Sequence, residues 1–329
     1  MKRTSSVMRI TLVAGAALLL GSVRANEKPP LEFWGFTGPW DPRSAESVRN
    51  FGGRLDVLVT GWIALDSASA RPIIPTLYPD TVRAPRRNVS RFAMVTSWHG
   101  QHFHPTTIRR LASDRRLLAD VASSVARHAS GHGYGGLVLD FEGLDRGDVE
   151  SLVTVVRGIS SAAKRAGVRR VAIAVPAVDT AAYPARRLLE VADLVLVMLY
   201  DQHWSTSPPG AISDPAWVRQ ALALRVSEAG AERLVAGFPT YGYRWVTGQP
   251  TELLSYVDAR RIASSAGTPL RRDPATQTLM ASKPGMWELW VTDADLLRAL
   301  MRAAAAADVR HVSLWRLGQE DPELWTVLQ

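Results

Sequence analysis

The sequence contains no cysteine. That excludes disulfides, a thiolate nucleophile and cysteine metal sites. It also excludes a lipid carried on an N-terminal cysteine. Long apolar runs are scarce too: beyond Leu20 no stretch is long and apolar enough to span a bilayer. There is no basic tract and no zinc-ligand spacing, so no nucleic-acid partner is expected. Charged residues make up 21% and apolar residues 47% of the chain. That mixture is ordinary for a globular enzyme and far from that of disordered or fibrous chains.

What is present begins with the N-terminus. Lys2, Arg3 and Arg9 flank the apolar run Ile10–Leu20, which has signal-sequence length and is too short for a membrane span. Val23-Arg24-Ala25 ends it with small residues where a signal peptidase reads. A signal peptide over 1–25 is expected, followed by a mature chain over 26–329. That chain should be exported to the periplasm, the cell envelope or the extracellular space, with no integral membrane segment left. Export without disulfides suits a bacterial envelope protein. The formal charge of +8 falls to about +4 once Lys2, Arg3, Arg9 and Arg24 leave with the signal. A mildly basic, arginine-rich surface accounts for it more simply than a patch built for an anionic wall polymer.

Beyond Asn26, short apolar runs alternate with helix-length segments. Leu31–Phe36, Leu55–Thr60, Phe92–Ser97, Gly136–Glu142, Arg170–Val175, Leu194–Tyr200, Leu234–Phe238 and His311–Trp315 read as eight strands. They are rich in Val, Leu and Ile on both faces, as buried parallel strands are. Asp114–His128, Asp148–Ala166, Pro215–Ala229 and Asp293–Ala307 read as helices. Asp148 and Asp214 are expected to cap theirs, with Pro215 at the first helical position. Ala84–Val89 reads as a loop. Eight strands alternating with helices predict an α/β fold, a closed (β/α)8 TIM barrel. Residues 246–290 are too long for a simple connection. They read as a small insertion after strand seven, with a helical stretch near Tyr256–Ser265 and short strands around Leu270 and Leu279.

The sharpest chemical signal is Tyr134-Gly135-Gly136-Leu137-Val138-Leu139-Asp140-Phe141-Glu142. Side chains alternate along a strand, so Asp140 and Glu142 share a face at the strand's C-terminal end, where barrel active sites lie. Two carboxylates so close repel as anions, and one is expected to keep a proton near neutral pH. An acidic strand end open to solvent is the plainer alternative. Aromatic residues gather near predicted strand ends as well: Trp62, Trp98, Trp204, Trp245 and Trp315. Two or three are expected to contact substrate and the others to pack the core.

These residues resemble glycoside hydrolase family 18, the chitinase-like enzymes, whose fourth strand ends Asp-x-x-Asp-x-Asp-x-Glu. Here the last two acids stand as Asp140 and Glu142, while Gly135 and Val138 replace the first two. Met198-Leu199-Tyr200-Asp201 resembles the family's Met-x-Tyr-Asp. Gly237-Phe238-Pro239-Thr240-Tyr241-Gly242 resembles its Gly-x-Pro-x-Tyr-Gly, and Ser313-Leu314-Trp315 its last strand. The version is most similar to the branch of spore-germination and cortex-lytic proteins. The resemblance implies retaining hydrolysis of a polysaccharide containing β-linked N-acetylglucosamine, peptidoglycan or chitin-like, with the substrate's own acetamido oxygen as nucleophile. It implies Glu142 as general acid and base, Asp140 as the group orienting the acetamide, and Tyr200 holding its oxygen. Trp315 would lie under the sugar, and Asp201 would bond the sugar or brace Tyr200. His203, Trp204, Tyr241 and Tyr243 complete the expected substrate-binding set. For Tyr200 or Trp315 taken alone, ordinary core packing would be the preferred reading.

Trp98-His99-Gly100-Gln101-His102-Phe103-His104 holds three histidines, but the spacing matches no strong ligand pattern. A polar subsite loop or plain surface is expected, without a metal. Gly35-Phe36-Thr37-Gly38 lacks the lysine of a phosphate loop. No cofactor is expected, and the chain reads as a monomer. Two rivals stand beside the hydrolase: a non-catalytic glycan-binding barrel, favoured by Gly135 and Val138, and a barrel hydrolase with a separate carboxylate nucleophile.

Overall fold

The computed structural model describes residues 31–74 and 88–327. The expected signal peptide over 1–25 and residues 84–87 of the expected loop lie outside the described residues.

Eight parallel strands close into a barrel. They are β1 (Glu32–Phe36), β2 (Val57–Ala64), β3 (Ser90–Thr96), β4 (Gly136–Asp140), β5 (Arg170–Pro176), β6 (Leu194–Met198), β7 (Leu234–Pro239) and β8 (His311–Trp315). Each neighbours the next in chain order, and β8 pairs with β1 to complete the ring. The surrounding helices include α1 (Pro42–Phe51), α2 (Pro105–Ser113), α3 (Arg115–Gly131), α4 (Val149–Arg165), α5 (Ala185–Leu188) and α6 (Pro215–Ala229). The expected (β/α)8 architecture is present. Among the described residues, no helix is long and apolar enough to cross a membrane.

Strand alternation divides the apolar side chains between two cores. On β4, Leu137 and Leu139 point outward into the layer packed by the helices. Val138 points inward with Trp34, Phe36, Phe92, Met94, Leu196 and Met198. This two-faced burial is why the strands read as continuous apolar runs. Phe92 packs over Gly136 so closely that a Cβ there would lie 2.4 Å from its ring. At the base of the barrel, Arg170 makes paired bonds to Glu32 at 2.6 and 2.9 Å. Its guanidinium also lies 5.3 Å from the Trp34 ring centroid.

Several boundaries differ from the sequence expectation. The second strand runs Val57–Ala64, well past Thr60, because a bulge between Val59 and Gly61 carries the chain on. A Cβ at Gly61 would meet the Tyr134 hydroxyl at 2.5 Å, so glycine here permits close approach rather than ending the strand. The fourth and sixth strands stop at Asp140 and Met198, leaving Glu142 and Tyr200 on the following turns. Asp148 precedes α4 without capping it; its carboxylate instead accepts from Asp145 N and from Arg109. Asp145 caps the short turn Arg146–Asp148 instead. Asp214 does cap α6, accepting from Ala216 N and Trp217 N, with Pro215 in the first turn.

After β7 the chain builds a separate five-stranded sheet from Gly242–Val246, Glu252–Leu254, Arg271–Arg272, Leu279–Lys283 and Trp287–Val291. The helix α7 (Tyr256–Ser265) packs on it through Ala259 and a small core of Leu254, Leu289 and Val291. The outer barrel helix α8 (Ala294–Ala306) follows.

Candidate active site

The C-terminal ends of the strands surround a cavity of about 790 Å³. β4 supplies Val138 and Asp140, and the turn after it Glu142. The loop after β6 supplies Tyr200 and Asp201, the β7 segment Tyr241 and Tyr243, and β8 Trp315. Seven of the nine residues expected from the sequence therefore meet in one cavity. His203 and Trp204 do not line it. His203 Nδ1 bonds Pro208 O at 3.0 Å, and its ring fills the space beside Gly210. Trp204 lies 48% exposed, with Nε1 bonded to Thr206. Both lie on the loop after β6, which turns away from the cavity after Asp201.

The acids differ in burial, Asp140 being buried and Glu142 half-buried at the cavity. Asp140 is buried and accepts from the Thr96 hydroxyl at 2.9 Å. Burial raises both carboxyls of the Asp140–Glu142 pair. Glu142 rises further, because Asp140 and Asp201 place negative charge beside it and its own proton is donated to Asp140. Both shifts favour retention of a proton by the pair, and the added negative charge beside Glu142 favours Glu142 as its holder. The tyrosines follow the same physics: burial and the nearby acids push the Tyr200 phenol well up, so it stays neutral and able to donate.

Asp201 is exposed at the rim, with its backbone in the left-handed region at φ 60°. An aspartate tolerates that conformation better than most side chains. The Tyr241 hydroxyl donates to its Oδ1 at 2.8 Å, so the hydrogen-bonded brace is between Asp201 and Tyr241. Protein packed around the rim still raises its carboxyl.

Aromatic rings form the floor and walls. Trp315 is nearly parallel to Tyr200, with centroids 6.5 Å apart and planes at 15°. Phe36 meets Trp315 edge-on at 5.5 Å. Trp62 lies 6.0 Å from Trp315 and donates its Nε1 proton to Thr37 O. Trp40, exposed above it, meets Trp62 edge-on at 4.9 Å. The hairpin Trp98–His99/His102–Phe103, which follows β3, contributes Trp98, His99, Gln101 and Phe103. Trp245 packs edge-on to Tyr243 outside the cavity lining.

Sequence reasoning missed Thr96, Trp40 and Leu253 among the lining residues. Thr96 had a readable signal, being the polar residue that ends the otherwise apolar end of β3. Trp40 follows β1 by only a few residues, as Trp62 lies near the end of β2. Leu253 comes from the inserted sheet, which places it over the mouth through its pairing with Tyr243, and nothing local marks it.

The family model for glycosyl hydrolases family 18 matches residues 43–320. The chain belongs to that family. It is similar to the cortical fragment-lytic enzyme of Bacillus subtilis, with 24% identity over 258 residues. That match covers 74% of this chain and 60% of the enzyme, so the chain spans well under the full length of that relative. Its fold is similar to the Bacillus cereus spore cortex-lytic enzyme SleL, with a TM-score of 0.81 and 18% identity, covering 92% of this chain and 74% of that one. A chitinase from Chromobacterium violaceum matches with a TM-score of 0.77 and 18% identity, covering 91% of this chain and 98% of that one.

Proposed function

We propose that this family 18 chain is a retaining glycoside hydrolase acting outside the cytoplasm on β-linked N-acetylglucosamine glycans, with peptidoglycan preferred over chitin. The observation that carries the reading is the meeting of Asp140 and Glu142 at the mouth of a barrel whose cavity is walled by aromatic rings, where burial and neighbouring negative charge raise the Glu142 carboxyl. The preference for peptidoglycan follows the cortex-lytic names of the relatives. The signal-like segment at 1–25 supports export.

The chemistry follows from the arrangement. Sugar faces stack on Trp315 and its neighbours, which fixes the ring over the acids. Glu142 gives its proton to the glycosidic oxygen as the C1–O bond breaks. The substrate's acetamido oxygen bonds to C1 from the other face, leaving positive charge on the acetamido nitrogen. Asp140, as a carboxylate, stabilises that charge, and the neutral Tyr200 hydroxyl holds the acetamido oxygen in line. Glu142, now ionised, takes a proton from water as the water attacks C1 and the acetamide is restored. Two displacements at C1 retain its configuration.

The test is to digest purified peptidoglycan and N-acetylglucosamine oligomers and to identify the released ends by mass spectrometry, for the wild type and for Glu142→Gln. The amide keeps the shape and lacks the proton, so turnover falls at least ~10²-fold while glycan binding persists. Near wild-type turnover in the variant would remove Glu142 from the role. A wild-type chain that binds these glycans and releases no ends would be a glycan-binding barrel instead.

A further inference from the structure

We propose that Thr96 is a positioning residue that fixes which carboxyl of the Asp140–Glu142 pair carries the shared proton. The inference rests on the reading that this pair does acid–base work. In the parallel register of β3 and β4, Thr96 stands directly opposite Asp140, and Met94 opposite Val138. Facing residues on neighbouring strands lie about 4.8 Å apart, which brings a short hydroxyl within reach of the carboxylate. The Thr96 hydroxyl lies 2.9 Å from Asp140 Oδ2 and is itself buried.

A second bond engages the same oxygen as an acceptor. Trp98 N–H donates to Thr96 Oγ1 at 3.0 Å. A hydroxyl has one proton to give. The oxygen accepts from the Trp98 amide, and its own proton goes to the ionised Asp140 Oδ2, the acceptor within reach. A donor aimed at Asp140 favours its ionised form and disfavours its protonated form. The pair's proton is thereby kept on Glu142, the group that must deliver it. Val138, the preceding inward residue on β4, is buried and apolar and has no proton to share with Asp140. Thr96 therefore supplies from the adjacent strand a polar contact that β4 itself does not.

The other ionisable groups around the pair do not substitute for it. Tyr200 and Asp201 face it from the end of β6, and Tyr183 from the segment after β5. Both phenols are pushed above their ordinary range by burial, so they stay neutral while the carboxyls titrate. Asp201 adds negative charge near Glu142. His99 lines the same cavity from the hairpin. The group that reaches Asp140 from β3 is the Thr96 hydroxyl. Because Trp98 begins that hairpin, the same oxygen also ties the cavity wall to the acid pair.

Three proteins decide the matter: wild type, Thr96→Val, which keeps the shape without the hydroxyl, and Thr96→Ser, which keeps the hydroxyl. Carbon-13 carboxyl titrations by NMR, assigned with Asp140→Asn and Glu142→Gln, read the proton's location without needing turnover. In Thr96→Val the Asp140 titration moves up by about one to two pH units, and the acidic limb of kcat/KM on N-acetylglucosamine oligomers moves with it. Thr96→Ser restores both to wild-type positions. If valine is not accommodated, Thr96→Ala makes the same deletion. A Val or Ala titration that overlays wild type, or a Ser variant that titrates like the Val variant, overturns the inference. Wild type that turns over no glycan overturns the proposed function instead, and the carboxyl titrations still judge Thr96.

Discussion

Replacing Asp140 with asparagine removes the negative charge facing Glu142 while keeping side-chain size and an acceptor toward Thr96. Charge centres of two hydrogen-bonded carboxyls lie about 4–5 Å apart. At an effective dielectric of about 20 their repulsion is about 3–4 kcal/mol, equivalent to roughly two to three pKa units. Glu142 should therefore fall by about two units in Asp140→Asn and remain raised, because its burial persists. As general acid Glu142 works protonated, so activity is present below its pKa and lost as pH rises through it. The alkaline limb of kcat/KM moves down by about two units. The acidic limb behaves oppositely: Asp140 works ionised and is pushed up to about 6 by burial. Wild-type activity falls as pH drops through that value, and the variant loses this limb. The plateau also drops ~10²-fold, since no carboxylate remains to stabilise the acetamido nitrogen. The assay is kcat/KM against pH on a chromogenic N-acetylglucosamine oligoside. An alkaline limb that does not move refutes the coupling of the two acids.

Val138→Asp places a carboxyl beside Asp140 on the inward face of β4. It should alter the acidic limb of the rate profile if the barrel accepts the buried charge. A folded variant with unchanged rate and profile would show that Val138 does not act on the pair. Arg170→Ala removes the paired bonds to Glu32 at the barrel base and should destabilise the fold by about 1–2 kcal/mol in urea titrations at neutral pH, the pair being partly exposed and Glu32 keeping His311. Burial opposes ionisation of Glu32, but hydrogen bonds from Arg170 and His311 outweigh it and hold its carboxyl well below the usual range. The stability it contributes is thus present above the unfolded-state pKa and lost as pH falls through the folded one. The gap between wild type and Arg170→Ala should narrow in acid, and a gap that widens there contradicts the assignment.

Much of this site was readable in the sequence because barrel strands impose a strict period. Gly136, Val138 and Asp140 fall on one inward face, and the strand end fixes where the acids emerge. The apolar runs identified all eight strands for the same reason: buried parallel strands carry Val and Leu on both faces. What the sequence hid depended on contacts between distant segments. The bulge at Val59–Gly61 and the close approach of Tyr134 to Gly61 are announced by no local pattern. His203 and Trp204 follow Asp201 immediately, yet the loop turns away, and a preference for strand-end aromatics cannot register that turn. The inserted sheet was partly legible through α7 and the strand near Leu279. Its edge strand Glu252–Leu254 and its central strand Trp287–Val291 both exist through pairing with Gly242–Val246. Thr96 owes its importance to register across strands rather than to any motif around it.

The central claim is that Glu142 acts with the substrate's own acetamide and not with a second enzyme nucleophile. The direct measurement compares N-acetylglucosamine oligomers with matched oligomers carrying a free amine at the cleavage subsite, with the anomer of the first product read by proton NMR. The account predicts a β-configured product from the acetylated oligomer and no cleavage at the free-amine position. Efficient cleavage of the free-amine oligomer, with a glycan trapped covalently on an enzyme carboxylate, would contradict it.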